Sequence, residues 1–189
     1  GDQQQLPPSN QFNANTDDDE DEENDLVEES ILDLANSRFK ANRMLKWHYR
    51  SRHQSLIDFS NHHFYQNQLI IPPSPVTTSA VTTSKVEAYY KGKINIQEKD
   101  KLIKDLIPFM SANIRKGDGD KKSKSCLIVT MNIFQAESIE DDLNKRKLEH
   151  PIIEEYENSW KDTGEEFTVK NLESVQGDER DVIFISTIF

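Results

Sequence analysis

Two kinds of hydrophobic pattern recur along the chain. Apolar residues spaced three or four positions apart predict amphipathic helices over residues 28–39, from about 96 to 113, and after Asn132. Continuous apolar runs, "SCLIVTM" at 125–131 and "VIFIST" at 182–187, predict buried strands. Four further segments are predicted to be extended: "RMLKW", "VEAYYKG", "IIEEY" and "EFTVK".

Three pairs of polar residues predict where helices begin. Each pair has the spacing of a capping box, in which two side chains satisfy free backbone amides at a helix start. The pairs are Ser51 with Gln54, Asn95 with Glu98, and Asn132 with Gln135. Pro108 is predicted to kink the helix that Asn95 begins, or to end it early.

The order of these elements predicts the fold class. Strands alternating with helices indicate an α/β fold whose mainly parallel sheet is flanked by helices. Residues 72–84, "PPSPVTTSAVTTS", are predicted to be a loop of low complexity. Because the sequence stops inside the apolar segment 182–189, we expect an incomplete domain whose exposed sheet edge favours self-association.

The charge of the chain is concentrated in one short run. The formal net charge is -11, and eight acidic residues within 17–25 account for most of it, since -11 + 8 = -3 for the remainder. Residues 13–27 are therefore predicted to be a disordered acidic loop, with a regulatory tail that competes with DNA as the alternative. The overall charge argues neither for nor against nucleic acid, which is usually met by a local basic stripe.

The cysteine, histidine and hydropathy patterns indicate the compartment of the protein and which kinds of site and segment it lacks. Cys126 is the single cysteine, so the chain has no disulfide framework, and we expect a cytoplasmic protein in which Cys126 serves packing. The sequence shows neither a signal peptide nor an apolar run long enough to cross a membrane. His48, His53, His62 and His63 lack the spacing that converges on zinc, so no metal site is predicted.

The phosphate-binding loop of nucleotide hydrolases is not present. The nearest segment, "GDGDKKS" at 117–123, has lysine where G-x-x-x-x-G-K-[ST] requires its second glycine. The chain alone is therefore not expected to bind ATP tightly.

Three other segments carry candidate chemistry. "GDQQQLPP" offers the amide of Gln5, "WHYRS" offers Arg50 beside an aromatic residue, and "VQGDERDVIFIS" places Gln176, Gly177 and Glu179 before a strand. The ends of strands in α/β sheets are where ligands usually bind. Each segment taken alone is equally well explained as a polar turn.

Taken in order, the segments resemble a known family. "GDQQQLPP", "LKWHYRSRHQSLIDFSNHHFYQNQLI", "CLIVTMNIFQAESIEDDL" and "TVKNLESVQGDERDVIFIS" are similar to motifs III to V of superfamily 1 helicases, especially the large bacterial "DNA helicase related" proteins. The resemblance covers the whole chain except the acidic insert. It implies a motif III segment at 1–12 and, over 28–189, a second RecA-like domain that stops before motif VI.

The resemblance assigns roles at the ATP site. Gln5 matches the motif III glutamine that couples the γ-phosphate to the nucleic acid, and Arg50 matches the motif IV arginine that reaches the γ-phosphate. Tyr49 matches an aromatic position near the nucleotide base. The motif V turn contributes Gln176, Gly177 near the γ-phosphate, and Glu179 near the ribose.

Other positions match contacts with a single strand of DNA or RNA: Thr130, Asn132 and Ser174. The family's "TPY" reads Thr130, Met131, Asn132 here, so its proline and its aromatic residue are both replaced. The resemblance further implies that ATP and Mg²⁺ are bound mainly by a first RecA-like domain carrying the Walker motifs, which would be the partner of this one. The chain alone is then expected to be inactive.

Two rival functions remain open at this point. A degenerate helicase fold could serve as a non-catalytic module that binds a protein or a nucleic acid, although a pure binder has no evident need for Gln5, Arg50 and Glu179 together. A nuclease has no support within these residues.

Overall fold

The chain forms two compact units, which the computed structural model assigns to Gly1–Ser84 and Lys85–Phe189. The structure describes residues 31–39, 43–51, 53–76, 78–89 and 92–188. The predicted motif III segment with Gln5 and the predicted acidic loop lie outside these residues. The proposed domain boundaries stay predictions.

Two short helices lie in the part of the first unit that the structure describes. Helix α1 spans Ile31–Arg38, within the predicted helix, and α2 spans Asp58–His63 after a 3-10 turn at Gln54–Leu56. The prediction of a strand at "RMLKW" is wrong, because only Trp47 pairs, in an isolated parallel bridge with Ile70. One bridge leaves the rest of that segment without a hydrogen-bonded partner strand.

The helix start predicted at Ser51 is also wrong. The residue that caps the 3-10 turn is His53, whose Nδ1 accepts the Ser55 amide at 3.1 Å. Nε2 of His53 donates to the Val76 carbonyl at 2.9 Å, which ties the turn to the following loop. Ser51 instead contacts His48, so the serine of the expected capping box has another partner.

The second unit is built on a three-stranded parallel sheet. Strands β1, β2 and β3 span Cys126–Thr130, Val169–Asn171 and Val182–Ser186, and they lie in the order β2-β1-β3. Ile128 is paired with Val169 on one side and with Phe184 on the other. The parallel α/β architecture predicted from the sequence is confirmed, and it is consistent with a partial RecA-like fold.

Three helices complete the second unit: α3 at Ile96–Ala112, α4 at Ile133–Arg146 and α5 at Ile152–Trp160. Their buried faces pack on one face of the sheet, on Cys126 and Ile128 of the central strand. The buried helical residues of this core are Leu102, Ile103, Leu106, Met110, Ile139, Leu143, Ile153, Tyr156 and Trp160. Burial of these apolar groups is the main force that holds the unit together.

The connection from β2 to β3 contains no helix. Asn171 pairs with the last residue of β1, Thr130, whereas Val182 pairs with its first, Cys126. Residues 172–181 must therefore run back along the whole sheet, and the ion pair between Lys170 and Asp178, at 2.5 Å, places them on the face opposite the helices. We call this segment the return loop.

Strand β3 lies at one edge of this sheet. Ile183 is 46% exposed and Ile185 is 58% exposed, and both lie on the same face as the return loop. The predicted strand is confirmed, but its burial is less complete than the apolar sequence indicated. Self-association through this edge stays a prediction.

The three other segments of this unit that were predicted to be extended are not, or are so only in part. "IIEEY" is not extended, because it begins α5, in which Ile153, Tyr156 and Trp160 are buried at helical spacing. Pro108 does not end α3 early, because the helix continues to Ala112, and a kink at Pro108 stays a prediction. "VEAYYKG" forms no strand in its described residues, 86–89 and 92, and "EFTVK" contributes only its last two residues to β2.

Candidate functional site

Tyr49 and Arg50 lie at the exposed tip of a short turn. The turn is closed by the His48 ring, whose Nε2 accepts the Ser51 amide at 3.1 Å and lies 2.8 Å from Oγ of Ser51. Tyr49 is 89% exposed, and Arg50 is exposed beside it. The turn therefore presents an aromatic ring and a planar guanidinium to solvent on adjacent residues.

The backbone before this turn is held by the bridge to Ile70. The His48 amide donates to the Ile70 carbonyl at 3.0 Å, and the Ile70 amide donates to the Lys46 carbonyl at 2.7 Å. Asn61 of α2 holds the same segment, because its side chain accepts the Leu69 amide at 3.0 Å. The short bridge thus gives the arginine turn a fixed base.

Thr130 and Asn132, which are predicted to contact single-stranded DNA or RNA, lie at the carboxyl end of β1. Thr130 is fully buried, and its Oγ1 donates to the Asn132 carbonyl at 2.6 Å. Asn132 caps α4 by accepting the Gln135 amide at 2.8 Å, and its Nδ2 donates to the Lys93 carbonyl at 3.0 Å. Thr130 is thus placed to orient Asn132, which is nearer the surface.

Ser174 lies at the same edge, after β2. Its amide donates to Oδ1 of Asn171 at 3.1 Å, and its side chain is exposed. The Leu172 amide donates to the Thr130 carbonyl at 2.9 Å, which joins the start of the return loop to the end of β1. Ser174 therefore shares one edge of the sheet with Thr130 and Asn132, from which it is more than 40 positions away in sequence.

Gln176, Gly177 and Glu179 form the middle of the return loop, and all three are exposed. The Asp178 amide donates to the Val175 carbonyl at 3.0 Å and closes a tight turn there. Gly177 has φ +93°, a backbone conformation that side chains disfavour, although a Cβ built there would meet nothing within 4 Å. Glycine is required for its conformation, and the space beside it is open.

The end of the return loop is anchored at the amino end of the sheet. The Arg180 guanidinium donates twice to the Glu166 carbonyl, at 3.0 and 2.7 Å. Asp181 and Ser125 bond reciprocally, with each backbone amide donating to the other side chain, at 3.1 and 3.3 Å. Because both ends of the loop are fixed, its exposed middle is held in place.

Gln135 connects three elements beneath the carboxyl edge. Its side chain is fully buried, accepts the Asn95 amide at 3.0 Å, and donates to the Asn95 carbonyl at 3.1 Å and to Oγ of Ser186 at 3.2 Å. These bonds tie the start of α3, the start of α4 and the end of β3 together. The position of Asn132 depends on this shared framework.

Cys126 is part of the core. Its thiol is fully buried, and burial raises its pKa to about 11 despite a hydrogen bond with Tyr156 and the charge of Arg180. A thiol in this state is a poor nucleophile at neutral pH. The environment agrees with the packing role predicted from the sequence.

The predicted site residues fall into two groups. Tyr49 and Arg50 belong to the first unit, whereas Thr130, Asn132, Ser174, Gln176, Gly177 and Glu179 belong to the second. The second group follows one path, from the carboxyl edge along the return loop. Gln5 lies outside the described residues.

Arg50 in the first unit and Glu179 in the second each carry an exposed charged group. An exposed guanidinium suits phosphate oxygens, and an exposed carboxylate such as that of Glu179 suits sugar hydroxyls. Among the residues that the structure describes, no group of three or more His, Cys, Asp or Glu side chains is placed to hold a metal ion.

The structural function of His48 was not predicted from the sequence, and that of Gln135 was predicted only in part. His48 was considered as a metal ligand, whereas its ring closes the arginine turn. Gln135 was predicted to return to the backbone of Asn132, whereas its side chain reaches Asn95, 40 residues away in sequence. The sequence carried no local signal for that distant partner.

Comparisons with known proteins relate the chain to helicase-named proteins. It is 32% identical over 197 residues to an uncharacterized ATP-dependent helicase of Mycoplasma genitalium, and 31% identical over the same length to a homolog of that protein in Mycoplasma pneumoniae. Each alignment covers 98% of this chain, which spans only 17% of the length of either relative.

Two other comparisons gave no match. No protein-family model matches the chain, and no solved structure matches it. Among the described residues, no helix is both long and apolar enough to span a bilayer.

Proposed function

We propose that the chain is part of an ATP-dependent superfamily 1 helicase or translocase. In this proposal it supplies the γ-phosphate-sensing half of the ATP site and part of the track for single-stranded DNA or RNA. The similarity to two helicase-named proteins over 98% of the chain supports the general class. The parallel sheet, with helices packed on one face, is consistent with a partial RecA-like domain.

The observation that carries the proposal is the placement of Arg50. Arg50 is exposed at the tip of a turn that the His48 ring closes, so its guanidinium is accessible to an anion. A guanidinium held in this way can meet an anion on another domain. Tyr49 beside it offers an aromatic surface to a nucleotide base.

The proposed role of Arg50 follows from the charge of phosphoryl transfer. Negative charge is spread over the γ-phosphate oxygens in the transition state, and an arginine supplied from another domain raises kcat by about 10³ to 10⁵. Because that arginine lies on a different domain from the bound phosphates, hydrolysis depends on domain closure, which couples it to movement along a strand.

The return loop would link the two binding sites. Ser174 and Asn132 would contact the strand at the carboxyl edge, with Thr130 positioning Asn132 from below. Gln176, Gly177 and Glu179, two to five residues further along, would face the nucleotide. The bonds at both ends of the loop would hold the two groups of residues at a fixed separation.

The remaining parts of the site are assigned to a partner domain. The sequence has no Walker A motif, so a first RecA-like domain would hold most of the ATP and the Mg²⁺. The chain alone would then have no ATPase activity. We also propose a cytoplasmic setting and, for the isolated chain, self-association through the β3 edge.

The decisive experiment is an ATPase assay on the full-length protein with single-stranded DNA and RNA as stimulators. We expect Arg50→Ala to lower kcat by about 10³-fold or more, and Arg50→Lys to remain impaired because lysine lacks the planar fork. Arg52→Ala is the matched control, since it removes the same charge two residues away. Strand-stimulated turnover retained in Arg50→Ala would overturn the proposed role.

A non-catalytic binding module is the alternative. In that case the full-length protein would bind a strand or a protein without hydrolysing ATP. An upstream G-x-x-x-x-G-K-[ST] followed by an acidic Walker B motif favours the motor, whereas their loss favours the binder.

A further inference from the structure

Lys93 and Phe134 form an exposed pair beside the carboxyl edge of the sheet. Nζ of Lys93 lies 3.8 Å from the centroid of the Phe134 ring, which is a cation–π contact. Phe134 is 40% exposed, and Lys93 is exposed as well. The pair therefore presents a ring and an ammonium group on one small area of surface.

The pair is physically joined to the predicted strand track. Nδ2 of Asn132 donates to the Lys93 carbonyl at 3.0 Å, and Phe134 follows Asn132 by two residues in the first turn of α4. Asn132 in turn receives the hydrogen bond from Thr130. The residues matched to strand contacts thus hold this ring and this cation beside them.

The ring contributes little to the core. The apolar residues of α4 that pack inward are Ala136, Ile139 and Leu143, all of them buried. Phe134 does not belong to the core cluster and projects at the other side of the helix start. An aromatic residue exposed beside a lysine matches the chemistry of single-strand binding, in which bases stack on rings and cations meet phosphates.

We propose that Phe134 stacks on a base of the bound single strand and that Lys93 neutralises an adjacent phosphate. This inference rests on the proposed function and adds a contact to it. It also accounts for a departure in the sequence, because Asn132 stands where the resembled motif has its aromatic residue. An aromatic surface is present two residues later, at the same edge of the sheet.

The first test measures strand binding by the full-length protein without nucleotide, using fluorescence anisotropy at low salt. The probes are a labelled oligothymidine and an abasic strand of equal length. We expect Phe134→Leu, which keeps an apolar side chain, to bind oligothymidine about 5- to 150-fold more weakly, and Phe134→Trp to bind it at least as tightly as the wild type. The wild type, Phe134→Leu and Phe134→Trp should bind the abasic strand with equal affinity.

The second test reads stacking directly. A strand containing 2-aminopurine should lose fluorescence on binding the wild type, and Phe134→Leu should restore part of that signal at saturation. Lys93→Gln should lower the slope of log K against log salt by about 0.7, the value for one phosphate contact on a single strand. The control for that charge is Lys104→Gln, at an exposed position on α3.

The outcomes separate this inference from the proposed function. If the wild type binds the strand and Phe134→Leu binds it equally well, stacking on Phe134 is refuted and the proposed function stands. An equal loss on both strands would assign the ring to a base-independent contact, such as protein docking, and would also refute stacking. If the wild type binds no strand at all, both proposals fail.

Discussion

His48 accepts a hydrogen bond in the arginine turn. A backbone amide can only donate, so Nε2 of the ring is the acceptor of the bond from the Ser51 amide. The ring therefore serves the turn through its lone pair, and its own backbone is fixed by Ile70. A histidine in this role positions the residues between it and Ser51, which are Tyr49 and Arg50.

Replacing His48 should disturb the proposed function without removing the reacting charge. We expect His48→Ala in the full-length protein to lower strand-stimulated kcat by about 10- to 100-fold, less than Arg50→Ala, because a small displacement of a catalytic group has this order of effect. Ser51→Ala should have a smaller effect, since its amide can still donate to the ring. Steady-state kinetics at saturating ATP would check this ranking. Unchanged kcat in His48→Ala would show that the ring does not position Arg50.

Arg50 could be identified as a candidate site residue from the sequence, whereas His48 could not. Arg50 was singled out from its place in a motif, and the structure leaves it exposed, as a residue that meets a ligand must be. His48 could not be singled out, because its function depends on a bridge to Ile70, 22 residues further along. Local patterns report bonds between near neighbours and carry little information about such distant pairing.

At the scale of elements, the predicted capping boxes are half right. Asn95 and Asn132 both cap their helices, at α3 and α4, as predicted. The partner side chains bond elsewhere: Gln135 reaches Asn95, and the Glu98 carboxylate accepts the amides of Thr187 and Ile188, each at 2.8 Å. The side chains at these two helix starts thereby bond to other elements of the unit.

Removing the Gln135 side chain should be costly for the second unit. Gln135→Ala leaves the Asn95 amide and Oγ of Ser186, on residues 2% and 0% exposed, without the Gln135 side chain as their partner, and we expect a loss of about 3 kcal/mol in the free energy of unfolding. Urea denaturation followed by the fluorescence of Trp160 would measure this, in a Trp47→Phe background that leaves one tryptophan. Glu137→Ala, at an exposed position on the same helix, is the control. A change of less than about 0.5 kcal/mol for Gln135→Ala would contradict this account.

Helices α3 and α4 are also joined by charge. Asp142 on α4 pairs with Lys99 on α3 at 3.2 Å and with Arg146 at 3.1 Å. Burial raises the pKa of Asp142, but hydrogen bonds from Arg146 and Lys99 outweigh it and leave the pKa below its ordinary value of 3.8. The carboxylate is therefore stabilised in its charged form in the folded chain.

The stability that Asp142 provides should depend on pH. Because its pKa is lower when folded, the contribution is present above about pH 4 and is lost as the pH falls through the folded pKa. We expect Asp142→Asn to lower the free energy of unfolding by about 0.5 to 1 kcal/mol at pH 7 and by less at pH 3, as measured by urea denaturation. The exposed Asp141→Asn is its control. A difference that persists unchanged at pH 3 would exclude the ion pairs as its cause.

The error at α5 shows why short windows mislead. "IIEEY" contains two adjacent apolar residues and an aromatic residue, which read as a strand over five positions. The helical period appears only when Trp160 is included, since Ile153, Tyr156 and Trp160 then share a buried face. By contrast, β1 was predicted correctly because all five of its residues are buried. A strand that is buried on both faces has apolar residues at successive positions, and such a run is recognisable in the sequence.

At the scale of the whole molecule, the boundary between the two units lies in the segment predicted to be a loop. Residues 78–89 form no helix or strand, and the boundary falls after Ser84. Val76 is 56% exposed and Val81 is 50% exposed. Exposed backbone without regular hydrogen bonding is the usual site of proteolytic cleavage.

Limited digestion with elastase, which cuts after small apolar residues, should therefore begin in this segment. We expect a resistant fragment that starts between residues 77 and 89, and mass spectrometry would identify it. The loop at 113–125 offers no alanine or valine, so it provides an internal comparison within the same digest. A first cut between residues 96 and 186 would contradict the proposed boundary.

The fold class was predictable because it depends on repeated local patterns, whereas the arrangement of site residues was not. Alternating helices and apolar strands are sufficient to indicate a parallel sheet. The position of Ser174 beside Thr130 depends on strand order, which no local pattern encodes. Only the resemblance to helicase motifs predicted a shared role for these residues.

The central position of β1 determines the order in which the strands of the second unit can pair. Each of the other two described strands pairs with β1 alone, so neither can find its register before β1 is in place. Its contacts with β3 join residues 56 positions apart, such as Cys126 and Val182. Contacts this distant in sequence form slowly, since closing a long loop costs entropy before the pairing compensates it. The edge strand and the return loop before it should therefore be the last parts of the unit to become ordered during folding.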